Sequence, residues 1–130
     1  MKTDDLIKKH EAFKKKGLQL SIQDMFDWVS LKEEMKFRSI EMKSNILEQK
    51  RSLEKDKALR TLELKAEVDD DGKKLTEKTI DSKLKLEFQE RDRQLDGLSA
   101  TRDMLLECCD NVVEYVNAVK LYMKTDNFTI

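Results

Sequence analysis

The chain has 130 residues with no proline, three glycines and 41% charged residues, and its 26 basic and 27 acidic side chains leave a formal charge of -1. A β-sandwich or an α/β domain of this length needs many tight turns, which are built largely from glycine, proline, asparagine, aspartate and serine. The shortage of these turn formers, together with abundant lysine, glutamate and leucine, is typical of long helices. We therefore expect an all-α fold.

The chain carries few reactive side chains, with one histidine (His10) and two adjacent cysteines (Cys108 and Cys109). A zinc site needs about four ligands at set spacings, which these residues do not supply. His10 shares a helix face with Leu6 and Phe13, so we interpret it as a packing residue rather than a general base. The sequence predicts no enzyme activity, no catalytic or metal-binding residue and no cofactor.

The location of the protein follows from the same composition. Neighbouring cysteines on a helix point about 100° apart and are poorly placed to bond each other, so we interpret them as reduced. No stretch approaches the roughly 20 apolar residues of a membrane span, and the first residues lack the apolar segment of a signal peptide. We expect a cytoplasmic protein with no membrane contact.

The first predicted element is a short N-terminal helix. Gly17 and the acidic run 69–72 divide the chain into three helical pieces, of which the first lies within segment 1–17. Its apolar residues recur at the i, i+3, i+4, i+7 spacing of one helix face, and lysines fill the other face. Such a basic amphipathic helix either docks on the body or waits for a partner.

The second predicted element is a long helix over about residues 21–68. Ser21 and Asp24 resemble a capping box that uses aspartate in place of glutamate. The apolar side is dense at the start and thins between Glu48 and Lys57, which leaves a basic, polar middle.

The third predicted element is a helix over about residues 77–124, after a turn at 69–75. Thr76 is a suitable N-cap residue for it. Steps of four and three residues then run from Leu84 to Met123, interrupted by Arg91 and Arg102, for which we expect interhelical ion pairs. Residues 18–130 are thus predicted to form a long antiparallel, coiled-coil-like helical hairpin.

The C-terminal third is apolar around most of the helix, which a single hairpin does not cover. We therefore predict a homo-oligomer assembled through this region. The predicted oligomerisation residues are Leu105, Cys109, Val112, Val116, Val119 and Met123.

The small net charge conceals opposed segments. Residues 2–16 and 50–60 each carry an excess of three positive charges, whereas residues 103–119 carry four negative charges and no basic residue. Three interpretations of the 50–60 segment remain open: a solvated helix face, a nucleic-acid site or a site for an acidic protein. The residues considered as base-stacking platforms are Trp28, Phe37, Tyr115 and Tyr122.

Four short motifs, in order and spacing over residues 20–125, resemble a known family. They are Phe26-Asp27-Trp28-Val29, the Lys-Glu-Glu-Met stretch Lys32 to Met35, Ala58-Leu59-Arg60 in a basic segment before a glycine-containing turn, and Leu105-Leu106-Glu107-Cys108-Cys109. The chain in these respects resembles the UvsY-type recombination mediators of tailed phages. One departure is the acidic turn at 68–72, where the family has aromatic and Arg-Gly residues, and this argues against a DNA-binding role for the turn.

The resemblance implies a small, all-helical, homo-oligomeric protein that is not an enzyme. Such a protein binds single-stranded DNA without sequence preference, displaces single-strand-binding protein and assists the loading of a RecA-like recombinase, in the cytoplasm of an infected bacterium. The residues matching the DNA-contacting stretch of the family are Lys50, Arg51, Lys55, Lys57 and Arg60.

Two alternatives accompany this hypothesis. The heptad pattern also suits a coiled-coil structural or assembly scaffold, whose charged face is solvated and does not bind DNA. A helical holdase-like chaperone is the third candidate, although the strand hairpins of a prefoldin-like tip are not evident near residues 69–76.

Overall fold

The structure is a computed structural model that describes the backbone of residues 2–128 and the side chains of residues 2–124. This part of the chain contains no strand, and only an isolated antiparallel bridge joins Val68 to Lys74. The all-α prediction is confirmed. The helices are α1 (Thr3–Lys16), α2 (Ile22–Ala66), α3 (Glu77–Glu87) and α4 (Gln89–Phe128).

The start of α2 is fixed by the predicted capping box. The backbone N–H of Asp24 donates to Ser21 Oγ at 3.0 Å, and the Asp24 carboxylate accepts from the backbone N–H of Ser21 at 3.1 Å. Lys16 adds an ion pair to Asp24 at 3.0 Å. The Ser21 backbone bond and then Lys16 hold the pKa of Asp24 below its usual value. Before this cap, Gly17 ends α1 with a φ of 52°, a conformation that favours glycine.

The acidic run forms a tight turn after α2, which ends two residues earlier than predicted. The Asp69 carbonyl accepts from the N–H of Gly72 at 2.9 Å, and the Asp69 carboxylate accepts from the backbone N–H groups of Asp71 and Lys73. Gly72 has a φ of 77°, as turns of this kind require. These bonds give Asp69 a local structural role.

The predicted third helix is divided in two. Thr76 caps α3 as expected, because its side chain accepts from the N–H of Thr79 at 3.2 Å. At Phe88 the backbone leaves the helical region, with φ and ψ of -102° and 5°, and α4 begins at Gln89. The interruption contains neither proline nor glycine, so composition gave no sign of it. The interruption lies at Phe88, whose ring is buried. On either side of it, Glu87 and Asp92 form ion pairs with α2.

Contacts between residues group the chain into two units. Unit 1 consists of segments 1–42 and 101–130, and unit 2 consists of residues 43–100. These units differ from the predicted segments 1–17 and 18–130, because α1 packs into unit 1 with both longer helices.

The core of unit 1 combines α1, the first part of α2 and α4. Its buried apolar residues are Leu6, Leu20, Met25, Trp28, Leu31, Met35, Leu105, Cys108, Cys109, Val112, Val116 and Val119. Of the two alternatives for the N-terminal helix, docking on the body is the one seen. Trp28 is the centre of this docking, with the rings of His10, Phe13 and Tyr115 at centroid distances of 5.7, 5.9 and 5.8 Å.

Unit 2 has a smaller core, in which Leu53, Leu64, Ile80 and Phe88 are buried. Arg60 of α2 pairs with Glu87 of α3, and the earlier Lys57 pairs with the later Asp92 of α4, so this part of the chain is arranged antiparallel. A continuous coiled-coil hairpin over the whole chain stays a prediction. Among the described helices, none is long and apolar enough to cross a membrane.

Candidate nucleic-acid interface

The five predicted DNA-binding residues lie on the second half of α2, in unit 2, but the structure separates them into two groups. Lys50, Arg51 and Lys55 are exposed. The side chains of Lys57 and Arg60 keep only 35% and 30% of their accessible surface and face α3 and α4. A ligand can therefore reach Lys50, Arg51 and Lys55 more easily than Lys57 and Arg60.

Arg60 is held by carboxylates of its own chain. Its Nε and Nη2 atoms donate to the two oxygens of Glu87 at 2.8 and 3.0 Å, a bidentate pair across to α3. Glu63 accepts from Nη1 at 2.9 Å, and Glu67 lies 3.7 Å from Nη1. Hydrogen bonding from Glu87 and then from Glu63 raises the pKa of Arg60, and the Arg60 hydrogen bond lowers the pKa of Glu87. A phosphate would have to displace these acids to reach Arg60.

Lys57 is held in the same way. Its ammonium group donates to both oxygens of Asp92 at 2.9 and 3.1 Å. On the neighbouring turn, Arg91 of α4 donates to Asp56 at 2.7 Å, an interhelical ion pair of the kind expected for Arg91. Lys57 and Arg60 thus tie the two sides of unit 2 together.

The outer face of α2 keeps an excess of positive charge because two acids of this region, Asp56 and Glu63, pair with Arg91 and Arg60. Arg51 and Lys55 are one helical turn apart, with Lys50 adjacent, and none of the three forms an ion pair among the described residues. Exposed Leu59 and Leu62 lie on the same side, with 51% and 66% of their surface accessible. This part of α2 therefore combines basic and apolar contacts.

Lys65 extends this surface and was missed by sequence reasoning. It is exposed and follows Arg51 by 14 residues, which places it about 40° from Arg51 around the helix and about 21 Å along it. The spacing of 14 residues could have indicated Lys65, because it places Lys65 on the same side of the helix as Arg51. Hereafter Lys50, Arg51, Lys55 and Lys65 are called the basic stripe. With Glu54 as the carboxylate among them, the stripe keeps an excess of three positive charges.

The four aromatic candidates for base stacking all lie in unit 1 and differ in accessibility. Trp28 is fully buried, so its ring has no surface available for stacking on bases. Phe37, Tyr115 and Tyr122 keep 63%, 37% and 51% of their surface. The acidic turn carries Asp69, Asp70 and Asp71 in exposed positions, an electrostatically unfavourable surface for DNA.

The predicted oligomerisation residues lie mostly inside unit 1. Leu105 and Val112 have no accessible surface, Val116 and Val119 keep 4% and 3%, and Cys109 keeps 9%; Met123 is half-buried against the same core. Their apolar surface is covered by α1 and α2 of the same chain, because the N-terminal helix docks on this core. A second copy would meet other residues, such as exposed Met104.

The histidine and the cysteines are buried within unit 1. Trp28 Nε1 donates to His10 Nδ1 at 3.0 Å, and burial lowers the pKa of His10. Burial also raises the pKa of both Cys108 and Cys109, so their thiols stay protonated and weakly nucleophilic. The described residues include no group of three or more histidine, cysteine, aspartate or glutamate side chains suited to a metal ion.

Comparison with protein-family models, with curated proteins and with solved structures finds no match to this chain.

Proposed function

We propose that this protein is a recombination mediator that binds single-stranded DNA without sequence preference and assists the loading of a RecA-like recombinase in place of single-strand-binding protein. Its site of action would be the cytoplasm of an infected bacterium. The observation that supports DNA binding is the basic stripe, whose side chains are exposed and keep a positive excess, while Asp92, Glu87 and Asp56 pair with Lys57, Arg60 and Arg91. The sequence resemblance supplies the link to recombination.

The mechanism rests on phosphate contacts along one helix, α2. Lys50 and Lys65 are separated by 15 residues, so the stripe extends for about 22 Å. Phosphate contacts by lysine and arginine release counterions and give affinity without reading the bases. Exposed Leu59 and Leu62 offer apolar surface to unstacked bases, which a duplex does not present. The arrangement therefore favours a flexible single strand over a duplex.

Fluorescence anisotropy with labelled oligo(dT) at two salt concentrations tests DNA binding. The triple variant Lys50→Gln, Arg51→Gln, Lys55→Gln should bind much more weakly than the native chain. Each phosphate contact on a single strand contributes about 0.7 to the slope of log affinity against log salt, so losing three contacts should reduce that slope by about two.

The matched control removes three lysines of unit 2 that lie off the stripe. Lys73, Lys74 and Lys78 are exposed and form no ion pair among the described residues, so their triple glutamine variant has the same net charge as the first. Equal loss of affinity in both variants would point to net charge rather than to the stripe. Absence of binding by the native chain at low salt would refute the proposal.

The recombinase step is tested separately. A RecA-like recombinase is added to single-stranded DNA coated with single-strand-binding protein, and its DNA-dependent ATP hydrolysis is followed. The native chain should shorten the lag before hydrolysis, and the basic-stripe variant should not. DNA binding without any change in the lag would leave a DNA-binding protein that is not a mediator.

The second candidate is a coiled-coil scaffold that does not bind DNA. The observation in its favour is that Lys57 and Arg60, two of the five expected DNA contacts, are engaged with acids of the same chain. A scaffold predicts self-association that is unaffected by oligo(dT), whereas a mediator predicts that the two are linked.

A further inference from the structure

A groove in unit 1 lies between the first turns of α2 and the later part of α4. Its volume is about 260 Å³, and its lining side chains are Ile22, Met25, Phe26, Val29, Val116 and Lys120. Met25 and Val116 are buried and form the floor of the groove. Ile22, Phe26 and Val29 keep 63%, 66% and 38% of their surface. One wall of the groove is therefore a row of large apolar side chains that solvent reaches.

The shape of this groove matches a helix. Ile22, Phe26 and Val29 follow one another at the i, i+4, i+7 spacing of a single row on a helix surface. The row is about 10 Å long, which two turns of a second helix span. Val113, three residues before Val116 and 44% exposed, continues the opposite wall on α4. The groove thus has the form that takes the apolar side of an amphipathic helix.

The outer face of α4 beside the groove is acidic. Four carboxylates recur there in steps of four, three and four residues, on the side of the helix opposite the buried Val112. They are Asp103, Glu107, Asp110 and Glu114. All four are exposed and form no ion pair among the described residues. Like charges one turn apart weaken a helix, so this row does not stabilise α4 itself, and a cationic partner would relieve the repulsion.

Two of these acids adjoin the apolar wall. Asp110 precedes Val113 by one helical turn, and Glu114 follows it directly. Among the residues that line the groove, Lys120 is the basic one, and it lies two turns further along α4 than Val113. On the α2 side, Lys32 is already paired with its neighbour Glu33 at 3.5 Å. A helix seated in the groove would therefore meet unpaired negative charge along α4.

We propose that this groove of unit 1 binds an amphipathic helix of another protein, one whose apolar side is bordered by lysine or arginine. The apolar side chains of that helix would fill the groove beside Phe26, and its basic border would pair with Asp110 and Glu114. The inference does not rest on DNA binding, because the basic stripe lies within unit 2.

Fluorescence anisotropy with two labelled synthetic peptides tests the proposal. Both peptides are amphipathic helices without tryptophan that carry leucine at positions i, i+4 and i+7. One has lysine beside the leucines, and the other has glutamate at the same positions. The lysine peptide should bind the native chain at least about tenfold more tightly than the glutamate peptide, and added salt should reduce the difference. Equal binding of the two peptides, or binding of neither, would overturn the proposal.

A matched pair of phenylalanine variants locates the apolar contact. Phe26→Ala should weaken binding of the lysine peptide at least about tenfold, because an aromatic side chain at the centre of a groove contributes much of the affinity. Phe37→Ala changes a similarly exposed phenylalanine of α2 that does not line the groove, and it should bind like the native chain. Equal affinities of the two variants would contradict the assignment.

A matched pair of acid variants tests the charge contact. Asp110→Asn with Glu114→Gln should weaken binding of the lysine peptide by about fivefold, since two exposed ion pairs are lost. Asp70→Asn with Asp71→Asn makes the same charge change in the turn of unit 2 and should have no effect. The substituted residues are exposed in all four variants, and the helical circular dichroism signal verifies that each one folds. An equal loss in both acid variants would point to net charge instead of the α4 face.

Two further measurements separate this groove from other occupants. Trp28 is fully buried beside α1, so a peptide in the groove should leave its emission unchanged. A peptide that displaces α1 would expose Trp28 and shift the emission to longer wavelength, which would overturn the assignment. Sedimentation of the native chain is the second measurement. A dimer that Phe26→Ala dissociates and that binds neither peptide would assign the groove to a second copy and refute the proposal.

Discussion

The buried His10–Trp28 hydrogen bond makes the stability of unit 1 depend on pH. His10 has no accessible surface, its Nδ1 accepts from Trp28 Nε1 at 3.0 Å, and its Nε2 has no partner among the described atoms. Protonation would put a proton on Nδ1 facing the Trp28 N–H and would bury a positive charge. Burial therefore lowers the pKa of His10 from its ordinary value of 6.5, with a smaller opposing effect from Glu11 and a small lowering effect from Lys14.

The direction and size of this pH dependence follow from the linkage between protonation of His10 and folding. Because the pKa of His10 is lower in the folded chain, the unfolded chain takes up a proton first as the pH falls below 6.5. The contribution of neutral His10 to the free energy of unfolding is fully present above pH 6.5. It is lost as the pH falls towards the folded-state pKa of His10. The free energy of unfolding should fall by up to about 1.4 kcal/mol per pH unit in that window.

Urea unfolding between about pH 7.5 and 5.5, followed by tryptophan fluorescence, measures this effect. Trp28 is the only tryptophan of the chain, so the signal reports on the contact itself. The control is His10→Gln, whose amide oxygen can accept from Trp28 but does not titrate. Its free energy of unfolding should vary less with pH than that of the native chain. Equal pH dependence in the two proteins, or a native chain that becomes more stable on acidification, would refute the argument.

Three further predictions use matched pairs of positions and thermal or urea unfolding as the measurement. Leu105→Ala removes a fully buried side chain and should cost about 2–5 kcal/mol, whereas Met104→Ala, at a residue with half its surface exposed, should change stability by less than about 0.5 kcal/mol. Gly72→Ala should destabilise the chain by about 1 kcal/mol because its φ is 77°, whereas Gly97→Ala, in the interior of α4 with open space around it, should stabilise by up to about 1 kcal/mol. Arg60→Gln should lower the melting temperature more than Arg51→Gln, and Arg51→Gln should reduce oligo(dT) affinity more than Arg60→Gln. A reversed order within any pair would contradict the corresponding assignment.

Local signals in the sequence predicted where α2 and α3 begin, but not the break between α3 and α4. The Ser21–Asp24 box and the Thr76 cap are formed as expected, because capping bonds join residues three positions apart and need no distant partner. The burial of Leu105 and Val112 followed from their heptad spacing. The helix that covers them could not be predicted, since the heptad pattern is the same whether an N-terminal helix or a second copy covers it.

The sequence did not predict which basic residues are paired, because ion pairing depends on which residues face each other across helices. Within the sequence, Arg51 and Arg60 are equivalent basic residues of one segment. In the fold, Glu87 lies opposite Arg60, while Arg51 points away from α3 and α4. Composition alone did not predict that Glu63 and Glu67 are drawn to Arg60 and leave the outer face of α2 positive.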